Sequence, residues 1–177
     1  MIELLLEAAR LKQVRRAGWV RCGVPNAESV ADHCWGLSWL VLLFLPVELD
    51  RAKALTYAAL HDLAEVRVGD ITPHDGIAPE QKKALEDAAL RDLLKDAPRA
   101  VLESAIEYQR GEDPEARFVK ELDRLDMAIQ ATVYAEQTGE DLGEFFTSAR
   151  LELRTAALID VWERLVERNL QTGRTGT

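Results

Sequence analysis

Helical periodicity runs through almost the whole chain, and no strand-length run alternates apolar with polar residues or gathers Val, Ile and Thr. The fold this predicts is all-α. Prolines and glycines set the divisions. A first amphipathic helix covers 2–15, and Gly18 and the Gly23-Val24-Pro25-Asn26 stretch break the chain before a second from Glu28 to Leu45, ended by Pro46. A third runs from Asp50, its N-cap, to Val66, followed by a polar loop holding Gly69, Pro73 and Gly76. Two more span Pro79 to Lys95 and Pro98 to Gln109, each with proline near its start. After the Gly111-Glu112-Asp113-Pro114 turn a sixth helix continues to Gln137, and a last long one covers Asp141 to Asn169. The expectation is one compact bundle of about six to seven helices over 1–170, with the Gly- and Thr-rich 171–177 as a flexible tail.

A chain of 177 residues that is 47% hydrophobic can bury one sizeable core, and its two cysteines are too few for a disulfide scaffold. The start lacks the basic segment and apolar core of a signal peptide. The longest apolar stretch, Leu37 to Val47, is interrupted by Ser38 and Pro46 and is too short to span a bilayer. A cytoplasmic protein with reduced thiols and no membrane contact is the expectation. The net charge of -9 disfavours nucleic-acid polymers as partners. Yet Ala8 to Ala27 holds Arg10, Lys12, Arg15, Arg16 and Arg21 and no acid. This island reads either as a solvated helix face or as a site for a small anion such as phosphate.

The three histidines stand in Asp32-His33, His61-Asp62 and Pro73-His74-Asp75. His33 falls on the apolar stripe of Val30, Cys34, Leu37, Leu40, Val41 and Phe44, so it points inward. The third helix is apolar nearly all round, which predicts burial, yet it carries His61, Asp62 and Glu65. Buried carboxylates without partners cost several kcal/mol each. A divalent cation resolves the conflict better than a salt-bridge network, because it uses imidazole and carboxylate together. A further ligand is expected on the sixth helix, where periodicity does not separate Asp123 from Asp126.

The separated His33, the His61-Asp62 doublet and a later Asp123 resemble the H...HD...D pattern of HD-domain metal-dependent phosphohydrolases. Within that family, Gly18-Trp19-Val20, Glu28 to His33, His61 to Glu65 and Val68 to Pro73 resemble the 5′-deoxynucleotidase branch. The resemblance implies His33, His61, Asp62 and Asp123 as metal ligands, a mixed N/O set better suited to Mn, Co, Fe or Zn than to Mg. It implies Glu65 and Asp70 as the proton-handling residues, with a second cation on Glu65, Asp70 and the Ile71 carbonyl as the alternative. Bacterial members carry an arginine directly before the tryptophan, where this chain has Gly18. Arg16 first, and Arg15 second, are therefore the expected phosphate-binding residues. Trp19, Asp62, Asp70, Ile71, Thr72 and Pro73 are the implied substrate contacts, although the spacing of Trp19 fits a core aromatic equally well. A homodimer is implied too.

The reaction so implied is hydrolysis of a deoxyribonucleoside 5′-monophosphate to deoxynucleoside and phosphate. The competing readings are the same site acting on a dNTP or a nucleotide second messenger, and a non-catalytic protein whose metal staples its helices. Shortness and the single basic island weigh against the first, and the presence of Glu65 and Asp70 against the second. Cys22 and Cys34 form no CxxC pair and read as structural. Trp35 and Trp39, one turn apart, widen the buried surface or make a dimer contact.

Overall fold

The computed structural model describes residues 1–172. Among them, the helices are α1 (Ile2–Ala9), α2 (Ala17–Arg21), α3 (Val30–Phe44), α4 (Arg51–Leu60), α5 (Glu65–Val68), α6 (Pro79–Leu93), α7 (Arg99–Arg110), α8 (Pro114–Thr138), α9 (Gly143–Glu152) and α10 (Ala156–Thr172). Two 3-10 turns, Arg10–Gln13 and Pro73–Asp75, join them, and no strand occurs among the described residues. The all-α reading holds. Two of the ten segments, α2 and α5, have only five and four residues, and α9 and α10 stand where one last helix was expected. Gln171 and Thr172 complete α10, and the rest of the expected tail, 173–177, lies outside the described residues.

The chain forms two compact units, Met1–Arg117 and Phe118 onward. In the first, α3 packs on α4, α4 on α7, and α6 on both α5 and α7. One apolar cluster joins Leu63 and Ala64 to Leu90, Leu93, Leu94 and Ala105; another joins Leu11, Val30 and Cys34. Ser29 and Asp32 form a capping box at the start of α3, which fixes where the helix begins. Val30, Leu37 and Val41 are fully buried on its inner face. Each contributes roughly 1.5–3 kcal/mol, so the helix that carries His33 is firmly seated.

In the second unit the core includes Leu122, Leu125, Leu142, Phe146, Ala149, Leu153 and Leu158. The break between α9 and α10 comes from Glu121, whose carboxylate accepts from the backbone N–H groups of Arg154 and Thr155, both at 2.7 Å, and from the Thr155 hydroxyl at 3.1 Å. Leu153 is extended there, and α10 starts afresh.

Three further expectations need correction. The first helix stops at Ala9, because the 3-10 turn and an extended Val14 replace its last turns. The third is not buried all round: Ala54, Tyr57 and Ala58 are buried, while Ala52, Thr56 and Ala59 face solvent. Alanine is small enough for an exposed face to look apolar in sequence. Trp35 and Trp39 do not widen the core, being 72% and 50% exposed.

Candidate functional site

The contacts of Arg16, His33, His61, Asp62, Glu65 and Asp70 described below lie in the first unit. Val14 to Arg16 run extended beside Glu28 to Val30, with Arg16 N–H donating to the Glu28 carbonyl at 3.1 Å and Val30 N–H to the Val14 carbonyl at 2.8 Å. Successive side chains of an extended segment point to opposite sides. Arg15 accordingly donates to the Ala27 carbonyl at 2.6 Å, a backbone latch. Arg16 turns the other way, its Nη1 lying 3.4 Å from Asp62 Oδ2 and 4.0 Å from Asp70 Oδ1. The next residue, Ala17, donates its N–H to Asp70 Oδ2 at 2.7 Å.

His61 and Asp62 sit where α4 ends. His61 makes the last α-type bond, to Tyr57, and the chain then tightens through Leu63 to Leu60 and Glu65 to Asp62. In a straight helix adjacent side chains diverge; in this bend His61 Nε2 and Asp62 Oδ2 are 3.0 Å apart. His33 Nε2, from the buried face of α3, lies 3.1 Å from His61 Nε2 and 3.8 Å from Asp62 Oδ2. Three donor atoms therefore converge, as expected of His33, His61 and Asp62.

The set fits a divalent cation. Ligand atoms about 2.0–2.2 Å from one ion stand roughly 3–3.5 Å from each other, close to the spacing here. The Ala58 carbonyl, 3.0 Å from His61 Nδ1, can only accept, so Nδ1 carries a proton and Nε2 is the atom left for a ligand role. Burial opposes charging of the ring, but Asp62 holds the His61 pKa well above the usual histidine range, so a cation bound here would displace the Nε2 proton. Burial opposes ionisation of Asp62, but His61, Arg16 and His33 outweigh it and hold the carboxyl well below its usual range. Asp32, beside His33, is occupied as the α3 cap, and its hydrogen bonds from the Ser29 backbone and hydroxyl lower its pKa.

Glu65 opens α5 and is 3% exposed. Its Oε2 meets no hydrogen-bond partner among the described residues. Burial first, then the charges of Asp62 and Asp70, push its pKa up to about 10, against the pull of Arg16 and Lys82. Gly69, at φ 76, ends α5 in the left-handed region and turns the chain to Asp70. The Ile71 carbonyl accepts from Lys82 Nζ at 2.7 Å, and Thr72 and Asp75 close a capping box in the next turn.

Of the remaining expected residues, Trp19 is 2% exposed and donates its indole N–H to Glu28 Oε1 at 2.9 Å. Thr72 is half-buried, while Pro73 and His74 are exposed. Asp123 is carried on α8 in the second unit, its Oδ2 3.9 Å from Arg124 Nε, and the neighbouring Asp126 is buried. Two residues escaped the sequence reading. Lys82 and Glu86, 3.5 Å apart on α6, both act electrostatically on the site: Lys82 on Glu65, and Asp62 on Glu86, whose pKa burial raises. Nothing in the sequence separates this i,i+4 pair from Lys83 and Asp87 beside it.

A family model described as HD domain matches residues 8–165. The chain belongs to the HD domain family. Among relatives of this HD domain, the 5′-deoxynucleotidase HDDC2 of Danio rerio is 37% identical over 154 residues, covering 84% of this chain and 77% of its own. The 5′-deoxynucleotidase hdd1 of Schizosaccharomyces pombe is 33% identical, with 81% and 77% covered. A conserved hypothetical protein from Pyrococcus furiosus has a similar solved structure, with a TM-score of 0.79, 32% identity, and 94% and 99% of the two chains covered. No described helix of this HD domain is long and apolar enough to cross a membrane.

Proposed function

We propose that this chain is a metal-dependent 5′-deoxynucleotidase that hydrolyses deoxyribonucleoside 5′-monophosphates to deoxynucleoside and inorganic phosphate. The observation that carries the reading is the convergence of His33, His61 and Asp62 with Arg16 beside them, in a chain whose relatives bear that name. Asp123 is the fourth ligand by its place in the H...HD...D pattern, and the family model spans both compact units, which supports one HD domain over 1–170. Two imidazoles and two carboxylates favour Mn, Co, Fe or Zn over Mg.

A divalent cation held there supplies Lewis acidity toward a phosphoryl oxygen and toward water. Arg16 is the guanidinium that meets the phosphate dianion, and Arg15, latched to Ala27, is left to structure. Water attacks phosphorus as the P–O5′ bond breaks. Glu65, which burial keeps protonated near neutral pH, delivers its proton to the departing 5′ oxygen. Asp70, oriented by Ala17 N–H and Arg16, takes the proton from the attacking water. A second cation on Glu65, Asp70 and the Ile71 carbonyl is the alternative to these proton-handling roles, and the Lys82 ammonium on that carbonyl and the raised pKa of Glu65 favour proton handling. Asp62, Ile71, Thr72 and Pro73 line the substrate, and Trp19 backs the site through its bond to Glu28.

The reading includes a cytoplasmic homodimer. Trp35, Trp39, Leu42 and Leu43 are 72%, 50%, 48% and 55% exposed at helical spacing on α3, a patch suited to a second copy. Light scattering that returns the mass of a single chain removes this part.

Phosphate release from dNMPs, NMPs and dNTPs tests the function, with metal-stripped protein resupplied with Mn, Co, Zn or Mg and Asp62→Ala alongside. Activity on dNMPs well above NMPs, absent without metal and in Asp62→Ala, supports the reading. No monophosphate hydrolysis with any metal removes it, and activity on dNTPs alone moves the substrate.

A further inference from the structure

Two neighbouring lysines of α6 have different surroundings. Lys83 pairs with Asp87 at 3.5 Å and its side chain is 58% exposed. Lys82 pairs with Glu86 at the same distance but is 34% exposed, and its ammonium also donates to the Ile71 carbonyl at 2.7 Å. That carbonyl belongs to the residue directly after Asp70. We infer that Lys82 is a positioning residue, its ammonium holding the Asp70-Ile71 turn so that the Asp70 carboxylate is presented for proton transfer.

The mechanical case rests on how the turn is tied. The Asp70 side chain is held by Ala17 N–H at 2.7 Å and approached by Arg16. Its backbone follows Gly69, at φ 76, a residue free to rotate. Downstream, the Thr72-Asp75 capping box holds the next turn through hydrogen bonds within that turn. Lys82 joins this stretch to α6, which packs on α5 and α7. A charge-assisted bond to a carbonyl is about twice as strong as a neutral one. Without it, the peptide after Asp70 gains freedom while the carboxylate keeps its partners, so the carboxylate is loosened rather than lost.

The charge distribution supports the same role. Asp62 and Asp70 act on Glu65, Asp62 acts on Glu86, and Arg16 and Lys82 are cations that act on Glu65 against the two aspartates. Once Arg16 is engaged by a phosphate, Lys82 remains as the protein's own counter-charge on this side.

The inference rests on the assignment of Asp70 to proton handling, and the test separates the two. Lys82→Met, which keeps the aliphatic stem, is compared with Lys82→Arg, Lys83→Met and wild type as metal-replete full chains. Loosening of a reacting group predicts a fall in kcat of about 10-fold or more in Lys82→Met, with KM within about 3-fold. Lys82→Arg restores most of it, since arginine can donate to the same carbonyl, and Lys83→Met matches wild type. Amide hydrogen exchange over 69–75 becomes about 5-fold faster or more in Lys82→Met, with α3 and α4 unchanged. A raised KM with kcat intact makes Lys82 a direct phosphate contact and overturns the inference. Unaltered exchange over 69–75 overturns it as well. If wild type hydrolyses no monophosphate, the assignment of Asp70 fails on that result, and the exchange measurement still decides whether Lys82 anchors the turn.

Discussion

Arg16 Nη1 lies 3.4 Å from Asp62 Oδ2, across 46 positions of sequence, and this pair ties the basic island to the His61-Asp62 doublet. A guanidinium held beside a carboxylate of the candidate metal cluster is placed to meet a phosphate bound there. Arg16→Met is expected to lower kcat/KM for a dNMP by about 10²–10³-fold, the usual cost of removing one preorganised charge-stabilising group. Arg15→Met is expected to change it less than about 3-fold while costing about 1 kcal/mol of stability through the lost bond to Ala27. Steady-state kinetics and denaturant melts of the two variants check this, and the reverse ranking assigns the phosphate to Arg15.

The donor cluster predicts a metal-linked stability. A cation that binds only the folded chain stabilises it by about 2.7 kcal/mol at 100 times its Kd. Mn or Zn added to stripped protein should therefore raise the melting temperature by several degrees. Asp62→Asn should abolish the rise, and Asp123→Ala should sharply reduce it if Asp123 is the fourth ligand. Elemental analysis of the purified variants gives an independent reading.

Much of the site was legible because its demands conflict with burial. His33 on an apolar stripe and His61, Asp62 and Glu65 amid Leu and Ala are uneconomical without a shared ligand, and that conflict is visible in a bare sequence. The α3 boundary was close for a similar local reason, since Ser29, Asp32 and Pro46 mark its ends. What sequence hid depends on contacts made over distance. No proline or glycine marks the break at Leu153, because Glu121, more than thirty positions away, makes it. That Arg16 rather than Arg15 turns toward Asp62 follows from an extended pairing with Glu28 to Val30. Lys82 and Lys83 look alike until α6 is seen turning one of them to the Ile71 carbonyl.

That distant contact of Glu121 carries its own prediction. Its carboxylate caps the start of α10 through two N–H groups and a hydroxyl. Glu121→Ala should cost about 1–2 kcal/mol, as lost caps do, and Glu121→Gln, which keeps one acceptor oxygen, about half of that. Urea unfolding followed by Trp162 fluorescence reports it, because the indole N–H of Trp162 donates to the Phe146 carbonyl across the same break. An unchanged midpoint means that the cap contributes nothing.

Glu65 sets a pH dependence of opposite sign to that of an ordinary paired acid. Its folded pKa is raised from 4.5 to about 10 by burial and by Asp62 and Asp70. Between those values the unfolded chain has lost the proton and the folded chain keeps it, so unfolding releases a proton and stability falls as pH rises. The contribution is complete below about pH 4.5 and is lost through about pH 10. Glutamine keeps the neutral shape and does not titrate. Metal-free Glu65→Gln should therefore equal wild type near pH 4.5 and exceed it by a few kcal/mol, at most about 1.4 per pH unit, by pH 8. Urea melts in chelator across that range give the difference directly. A constant gap between the two proteins would mean that Glu65 ionises in the folded chain as it does in water, and the acid role assigned to it would fall.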